Sequence, residues 1–156
     1  CAILKIGAST EIEQGDKKDL AEDAILAVRS ALEEGYLPGG GLGLIRCAQS
    51  LNIKNKGEQV LIESLFYPVQ QILLNNGLKP KGFFSFRETN TVDDIVRRIE
   101  TSSHNFGYNA KTEKFSNLVD DGVIDAAKVV RCAIDNATSV AGMFLSTEVL
   151  ISEWKE

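Results

Sequence analysis

The stretch Pro38-Gly39-Gly40-Gly41 constrains the fold more than any other in the sequence. Three successive residues without a Cβ neither propagate a helix well nor add a packed side chain to a strand. Helical patterns lie on both sides of it. Upstream, from Asp16 to Gly35, the residues Ala21, Ala24, Ile25, Val28, Ala31 and Leu32 recur at steps of three, four and seven, which gives one apolar face. Downstream, Leu42, Leu44, Ile45, Ala48 and Leu51 form a second, shorter stripe. The glycines therefore mark a sharp corner. They do not match the dinucleotide pattern, because Arg46 stands where the third glycine would follow Gly41 and Gly43, and no Gly-Lys-Ser/Thr of a P-loop follows. Two readings stay open: a flexible corner between helices, or a place where backbone comes close to a ligand.

The rest of the chain reads as mainly α with one or two edge strands. Cys1-Ala2-Ile3-Leu4-Lys5-Ile6 reads as a strand whose partner lies elsewhere, and with no initiator Met this abrupt apolar start leads us to expect a truncated chain. After a polar stretch from Asn52 to Gly57, a long apolar helix is expected from about Glu58 to Asn76, kinked at Pro68 and stopped at Gly77. From Leu78 to Phe106 the pattern weakens into what reads as a surface excursion. It carries a small amphipathic helix over Thr91 to Ile99, with Asp93 and Arg97, and Asp94 and Arg98, at i,i+4. Gly107-Tyr108-Asn109-Ala110 and Gly122-Val123-Ile124-Asp125 read as turn-like passages. A last helix is expected from Ala126 to about Leu145, with Ala127, Val130, Ala133, Ile134, Ala137, Ala141 and Phe144 on one side and Asp125 placed to cap it.

Charge and composition exclude several functions. With 22 acidic against 17 basic residues the net charge is -5, which repels phosphate backbones and anionic lipid, so nucleic acid is not an expected partner. No apolar run approaches the roughly 20 residues that cross a bilayer, no signal peptide opens the chain, and no membrane association is expected. Cys1, Cys47 and Cys132 are odd in number and widely spaced, without a second ligand at metal spacing, which suggests neither a disulfide framework nor a metal site and fits a reducing compartment. His104 is the only histidine and has no recognisable nucleophile near it, so it reads as structural or exposed; Trp154 reads as a packing anchor. Asp23 lies about 200° around the helix axis from Ala21 at roughly 100° per residue. It is either a solvated carboxylate or one that can be swung into another domain's site. Asp125 divides between a helix cap and a ligand contact, roles that are compatible if one oxygen serves each. Pattern alone yields no reaction.

The passage Gly107-Tyr108-Asn109-Ala110, then Asp120-Asp121-Gly122-Val123-Ile124-Asp125, then Lys128-Val129-Val130-Arg131, resembles the late equatorial signature of group I chaperonins. The resemblance continues through Ala137, Ser139-Val140-Ala141-Gly142 and Thr147-Glu148. Upstream, Ile3 to Ala8, Lys17-Lys18, Glu22-Asp23-Ala24, Arg29, Glu33-Glu34-Gly35 and Gly39-Gly40-Gly41 resemble the family's hinge strand, hinge helix and glycine corner in the same order. Nearly everything but residues 78–106 is covered. The resemblance implies an intermediate-domain segment over 1–36 and the C-terminal half of an equatorial ATP-binding domain over 37–156, with an insertion near 78–106. The implied fold is a helical equatorial-domain half with a short N-terminal β-strand and a hinge helix.

By the same resemblance Gly40 lies against the nucleotide sugar with Gly39 beside it, Asn109, Ala110 and Lys111 line the adenine, and Asp125 bonds the ribose. Asp23 matches the hinge-helix aspartate that positions the water attacking the γ-phosphate. Lys111 departs from the small residue expected there, and Ala126 replaces an expected proline. ATP and Mg²⁺ are implied for the whole subunit, with neither held tightly by this chain, because the upstream Gly-Asp-Gly-Thr-rich phosphate loop is not in it. Implied partners are other subunits in a homo-oligomeric ring and, through an apical domain, a lid co-chaperonin and unfolded clients. The apolar Phe83-Phe84-Ser85-Phe86 and the length of the excursion favour an organelle matrix over a bacterial cytoplasm. A rival expectation is a helical interaction module that kept the fold and lost the ATPase.

Overall fold

The structure is a computed structural model that describes residues 2–79, 91–149 and 151–152. Phe83 to Phe86 and Trp154 lie outside the described residues. The chain divides into two compact units, one of residues 1–35 with 126–156 and one of residues 36–125. The expectation of a mainly helical chain holds: six helices and four short strands occur among the described residues.

In the 36–125 unit, strand β1 (Tyr36–Pro38) runs into the glycine corner and out as helix α2 (Leu42–Ser50). Gly40 and Gly41 both take positive φ, 64° and 78°. A Cβ on Gly41 would lie 2.6 Å from Val69 Cγ2. The corner is thus a fixed, packed turn closed by Leu42 N donating to Gly39 O at 3.1 Å, and glycine is required there on both torsional and steric grounds.

The long helix expected over 58–76 is two helices, α3 (Lys56–Ser64) and α4 (Tyr67–Asn75). Asn55 caps α3 by accepting from Glu58 N at 2.9 Å. Pro68 falls in the first turn of α4, where a missing N–H has no intrahelical partner to lose, so the break comes just upstream of the proline in place of a kink at it. Gly77, at φ 84°, ends α4 as its sequence position suggests.

Helix α5 (Val92–Thr101) corrects the reading of a surface excursion. Val92, Ile95, Val96 and Ile99 are buried and form one core with Leu42, Ile45, Val69, Leu73 and Leu118. Thr91 and Asp94 make a reciprocal capping box at its start. At its end Arg46 of α2 donates to the carbonyls of Ile99 (3.1 Å), Ser103 (2.8 Å) and His104 (3.0 Å). A guanidinium there satisfies acceptors that a helix leaves open. His104 contributes its backbone to this cap and its side chain is exposed.

The chain then enters a hairpin, where β2 (Phe106–Asn109) pairs antiparallel with β3 (Lys114–Asn117), Tyr108 opposite Phe115. Gly107-Tyr108-Asn109 is accordingly strand and not turn. Arg98 lies 3.9 Å from the Phe115 ring centroid, a cation–π contact over the hairpin's aromatic face. Strand β4 (Ile124–Ala126) pairs with β1.

The other unit holds helices α1 (Glu11–Glu34) and α6 (Ala127–Ser146). Helix α1 starts five residues before the Asp16 at which the apolar pattern begins, capped by Thr10, which accepts from Glu13 N at 3.2 Å, and Gly35 at φ 85° ends it. Glu34 takes a two-point ion pair from Arg131, with contacts of 2.6 and 3.0 Å, and Lys128 pairs with Glu33. Neither helix has a buried residue. The strand expected at the N-terminus does not form: residues 2–8 have no regular structure, and Ile3 and Leu4 are exposed. A lone strand leaves its N–H and C=O groups without a ladder, and none is provided here.

These packing differences give a direct expectation. Ile45→Ala, at a fully buried position, should lower unfolding free energy by about 2–5 kcal/mol. Leu32→Ala, at a position 83% exposed, should change it by less than about 0.5 kcal/mol. Urea titration of both variants measures the contrast.

Candidate functional site

Of the residues singled out by sequence, Gly39, Gly40, Asn109, Ala110, Lys111 and Asp125 belong to the 36–125 unit and Asp23 to the other. The glycine corner and the hairpin are tied through their neighbours. Gly39 N donates to Val123 O at 2.9 Å, and a Cβ on Gly39 would stand 3.0 Å from the Val123 carbonyl carbon and 3.1 Å from Ile124 N. Backbone therefore meets backbone two residues before Asp125. Leu118, 1% exposed, is the link to the hairpin: its Cδ1 would lie 3.8 Å from a Cβ on Gly40 and 2.7 Å from one on Gly107. Gly40, Gly107, Tyr108 and Leu118 line a crevice with about 10 Å³ of free volume. That is about the space of one water, and its other lining residues, Leu42, Val69, Ile72, Leu73 and Ile99, make it a void at the edge of the core.

Asn109 is buried and its side chain is engaged on both sides. Nδ2 donates to Asp121 Oδ2 at 2.9 Å, while Oδ1 accepts from Lys111 N at 3.1 Å and Thr112 N at 3.4 Å. The loop from Ala110 to Glu113 is wound around this amide, with Glu113 at φ 57°. Ala110 is half-buried and Lys111 exposed on that loop. Asp121 also accepts from the Ser116 hydroxyl. The Ser116 hydroxyl, and after it the Asn109 amide, hold the Asp121 carboxyl below the usual range.

Asp125 behaves in the opposite way. It does not cap α6, because extended backbone persists through Ala126, which occupies the N-cap without a side-chain bond. Asp125 is exposed, and its carboxylate makes no hydrogen bond among the described residues; partial desolvation still raises its pKa. Asp23 is an exposed carboxylate on α1, and the neighbouring apolar residues Ala24, Ile25, Val28 and Leu32 are exposed too, so the expected contrast between a solvated and a packed face is not present on this helix. No group of three or more His, Cys, Asp or Glu that would hold a metal ion occurs among the described residues.

The sequence reading missed Ser116 and Asp121 as the support for Asn109, and Gly107 and Leu118 as the joint between corner and hairpin. Gly107 carried a usable signal, since a glycine inside a short apolar alternation marks close approach of another group. The Asn109 to Asp121 bond had none, because it joins residues on either side of a hairpin.

A sequence profile of the TCP-1/cpn60 chaperonin family matches residues 1–155. Among solved structures, the chain is similar to a crystal structure of a group III chaperonin in the open state, with TM-score 0.77 and 24% identity. The match covers 94% of this chain and 30% of that one, so the chain spans less than a third of the length of this structural relative. At this identity the likeness is one of fold.

The raised pKa of Asp125 fixes the sign of a stability effect. A carboxyl that holds its proton more tightly when folded adds stability below about pH 4 and loses it as pH rises through the raised value. Asp125→Asn should therefore raise the thermal midpoint at pH 7, and the gain should vanish below about pH 4. Scanning calorimetry of both proteins across that range checks the sign.

Proposed function

The chain belongs to the TCP-1/cpn60 chaperonin family, and from that premise we propose that it supplies the nucleoside end of an ATP site in a protein-folding chaperonin subunit. In this reading residues 1–36 are intermediate-domain segment and 37–156 are the C-terminal half of the equatorial domain. The Gly39-Gly40 corner lies under the sugar, the Asn109-Ala110-Lys111 loop lies beside the adenine, and Asp125 takes the ribose hydroxyls. The observation that carries the proposal is the pairing of Asp125 with the glycine corner. An exposed carboxylate with no partner among the described residues directly follows the Val123-Ile124 backbone against which Gly39 packs. A vicinal diol can donate hydrogen bonds to such an exposed carboxylate in place of water. Absent Cβ atoms let the backbone approach a flat ligand.

The residues fit a nucleoside better than a polyphosphate. The chain contains no Gly-Asp-Gly-Thr sequence, and phosphate and Mg²⁺ contacts would come from elsewhere in the subunit. Magnesium, when bound with ATP, neutralises phosphate oxygens. Asp23 would then orient the attacking water and accept its proton, a role whose loss costs about 10²- to 10⁴-fold. The resemblance of both chain ends supports group I, and the length of the 78–106 segment, whose helix α5 is part of the core, supports an organelle matrix. Ring assembly with further subunits, a lid co-chaperonin and unfolded clients complete the proposal.

Two measurements test it. In the full-length protein, Asp23→Ala should leave ATP binding within about threefold of wild type and slow turnover by about 10²-fold or more; turnover near wild type would overturn the assignment. Calorimetric titration of this chain alone with Mg-ATP should show at most weak binding. Tight binding would refute the view that the phosphate grip lies elsewhere, and full-length protein that binds no ATP would support the rival interaction module.

A further inference from the structure

We infer that Asp121 is a positioning residue for the base end of the site, acting through Asn109, and that the Asn109 side-chain oxygen shapes its own loop instead of accepting from the base. The inference rests on the nucleoside reading above. It starts from a count of bonds. A side-chain amide has two N–H donors and one carbonyl oxygen with two lone pairs. In Asn109 that oxygen takes the Lys111 and Thr112 amides, one on each lone pair, and Nδ2 donates to Asp121 Oδ2 at 2.9 Å. The acceptor face is thereby filled. Asn109 as a whole is also only 6% exposed, so its side chain offers a ligand no free acceptor for the exocyclic amine of adenine.

The polarity of the amide is set by Asp121. An ionised carboxylate is an acceptor only, so it selects the orientation in which Nδ2 faces it and Oδ1 faces the loop. Ser116 donates to the same carboxylate oxygen, which ties Asp121 to β3 as well. Loss of the carboxylate would free the amide to turn, and the Lys111 and Thr112 N–H groups would lose their acceptor. What the loop then presents beside the base, the backbone at Ala110 and Lys111, would no longer be held. The chemistry assigned to base reading is therefore main-chain N–H and C=O groups, whose placement depends on a carboxylate that does not touch the ligand.

The test uses the full-length protein and three probes: ATP, GTP and inorganic tripolyphosphate. Wild type should prefer ATP over GTP. Asp121→Ala should lower ATP affinity about tenfold and bring the ATP to GTP ratio near one, with tripolyphosphate affinity unchanged. Asp121→Asn, which keeps an acceptor oxygen, should stay within about threefold of wild type. The exchanged pair Asn109→Asp with Asp121→Asn should recover most of the ratio, because a carboxylate at 109 still accepts from Lys111 and Thr112 and takes the new amide at 121. Asp121→Ala with wild-type selectivity, or a wild type that binds both nucleotides equally, overturns the inference and leaves the nucleoside site standing. Equal losses for all three probes show a structural role only and overturn it too. If Asp121→Ala does not fold, the exchanged pair decides: failure to recover selectivity overturns the inference. A wild type that binds no ATP removes the nucleoside reading and this inference with it.

Discussion

In the 36–125 unit, Gly39, Gly41 and Gly107 let backbone and side chains close to distances that a Cβ would forbid. An added Cβ would come within 3.0 Å of the Val123 carbonyl carbon at Gly39, 2.6 Å of Val69 Cγ2 at Gly41 and 2.7 Å of Leu118 Cδ1 at Gly107. The first brings the corner onto the strand that leads to Asp125. The second seats it on α4, and the third lays the hairpin on Leu118. The candidate site is thus a by-product of close packing among elements distant in sequence, and its geometry is as rigid as the core that shares those contacts.

Where sequence and structure agree, the signal was local. Gly35 and Gly77 end their helices because a positive φ is cheap only for glycine, and that can be read one residue at a time. The mainly helical class was legible for the same reason, from apolar steps of three and four. Disagreements arise where a residue has two permitted uses. Pro68 breaks a helix interior but suits a first turn, so a single kinked helix and two separate ones share one sequence pattern. Thr91 to Ile99 looked like surface because its apolar residues alternate with charges, yet four of them complete the core. Asp125 had the right identity for a cap, and pairing of β1 with β4 kept its backbone extended instead.

The site residues divide along similar lines. Asn109 and Asp125 were visible through resemblance, but what each does with its polar atoms was not. One has its acceptor oxygen taken by its own loop; the other, exposed, has neither oxygen bonded among the described residues. A residue type shows what chemistry is available, and only the partners show how much of it remains for a ligand. The two units differ in the same respect. The 36–125 unit surrounds a buried cluster, whereas α1 and α6 have no buried residue and share ion pairs that solvent screens.

Arg46 gives the 36–125 unit a further property. One guanidinium on α2 holds carbonyls of Ile99, Ser103 and His104, and Ser102 Oγ at 3.3 Å. These groups span the end of α5 and the residues that lead into β2. Loss of the Arg46 guanidinium would therefore leave the end of the fifth helix and the entry to the hairpin short of donors at the same time. One side chain thus ties together segments that lie more than fifty residues apart in the chain.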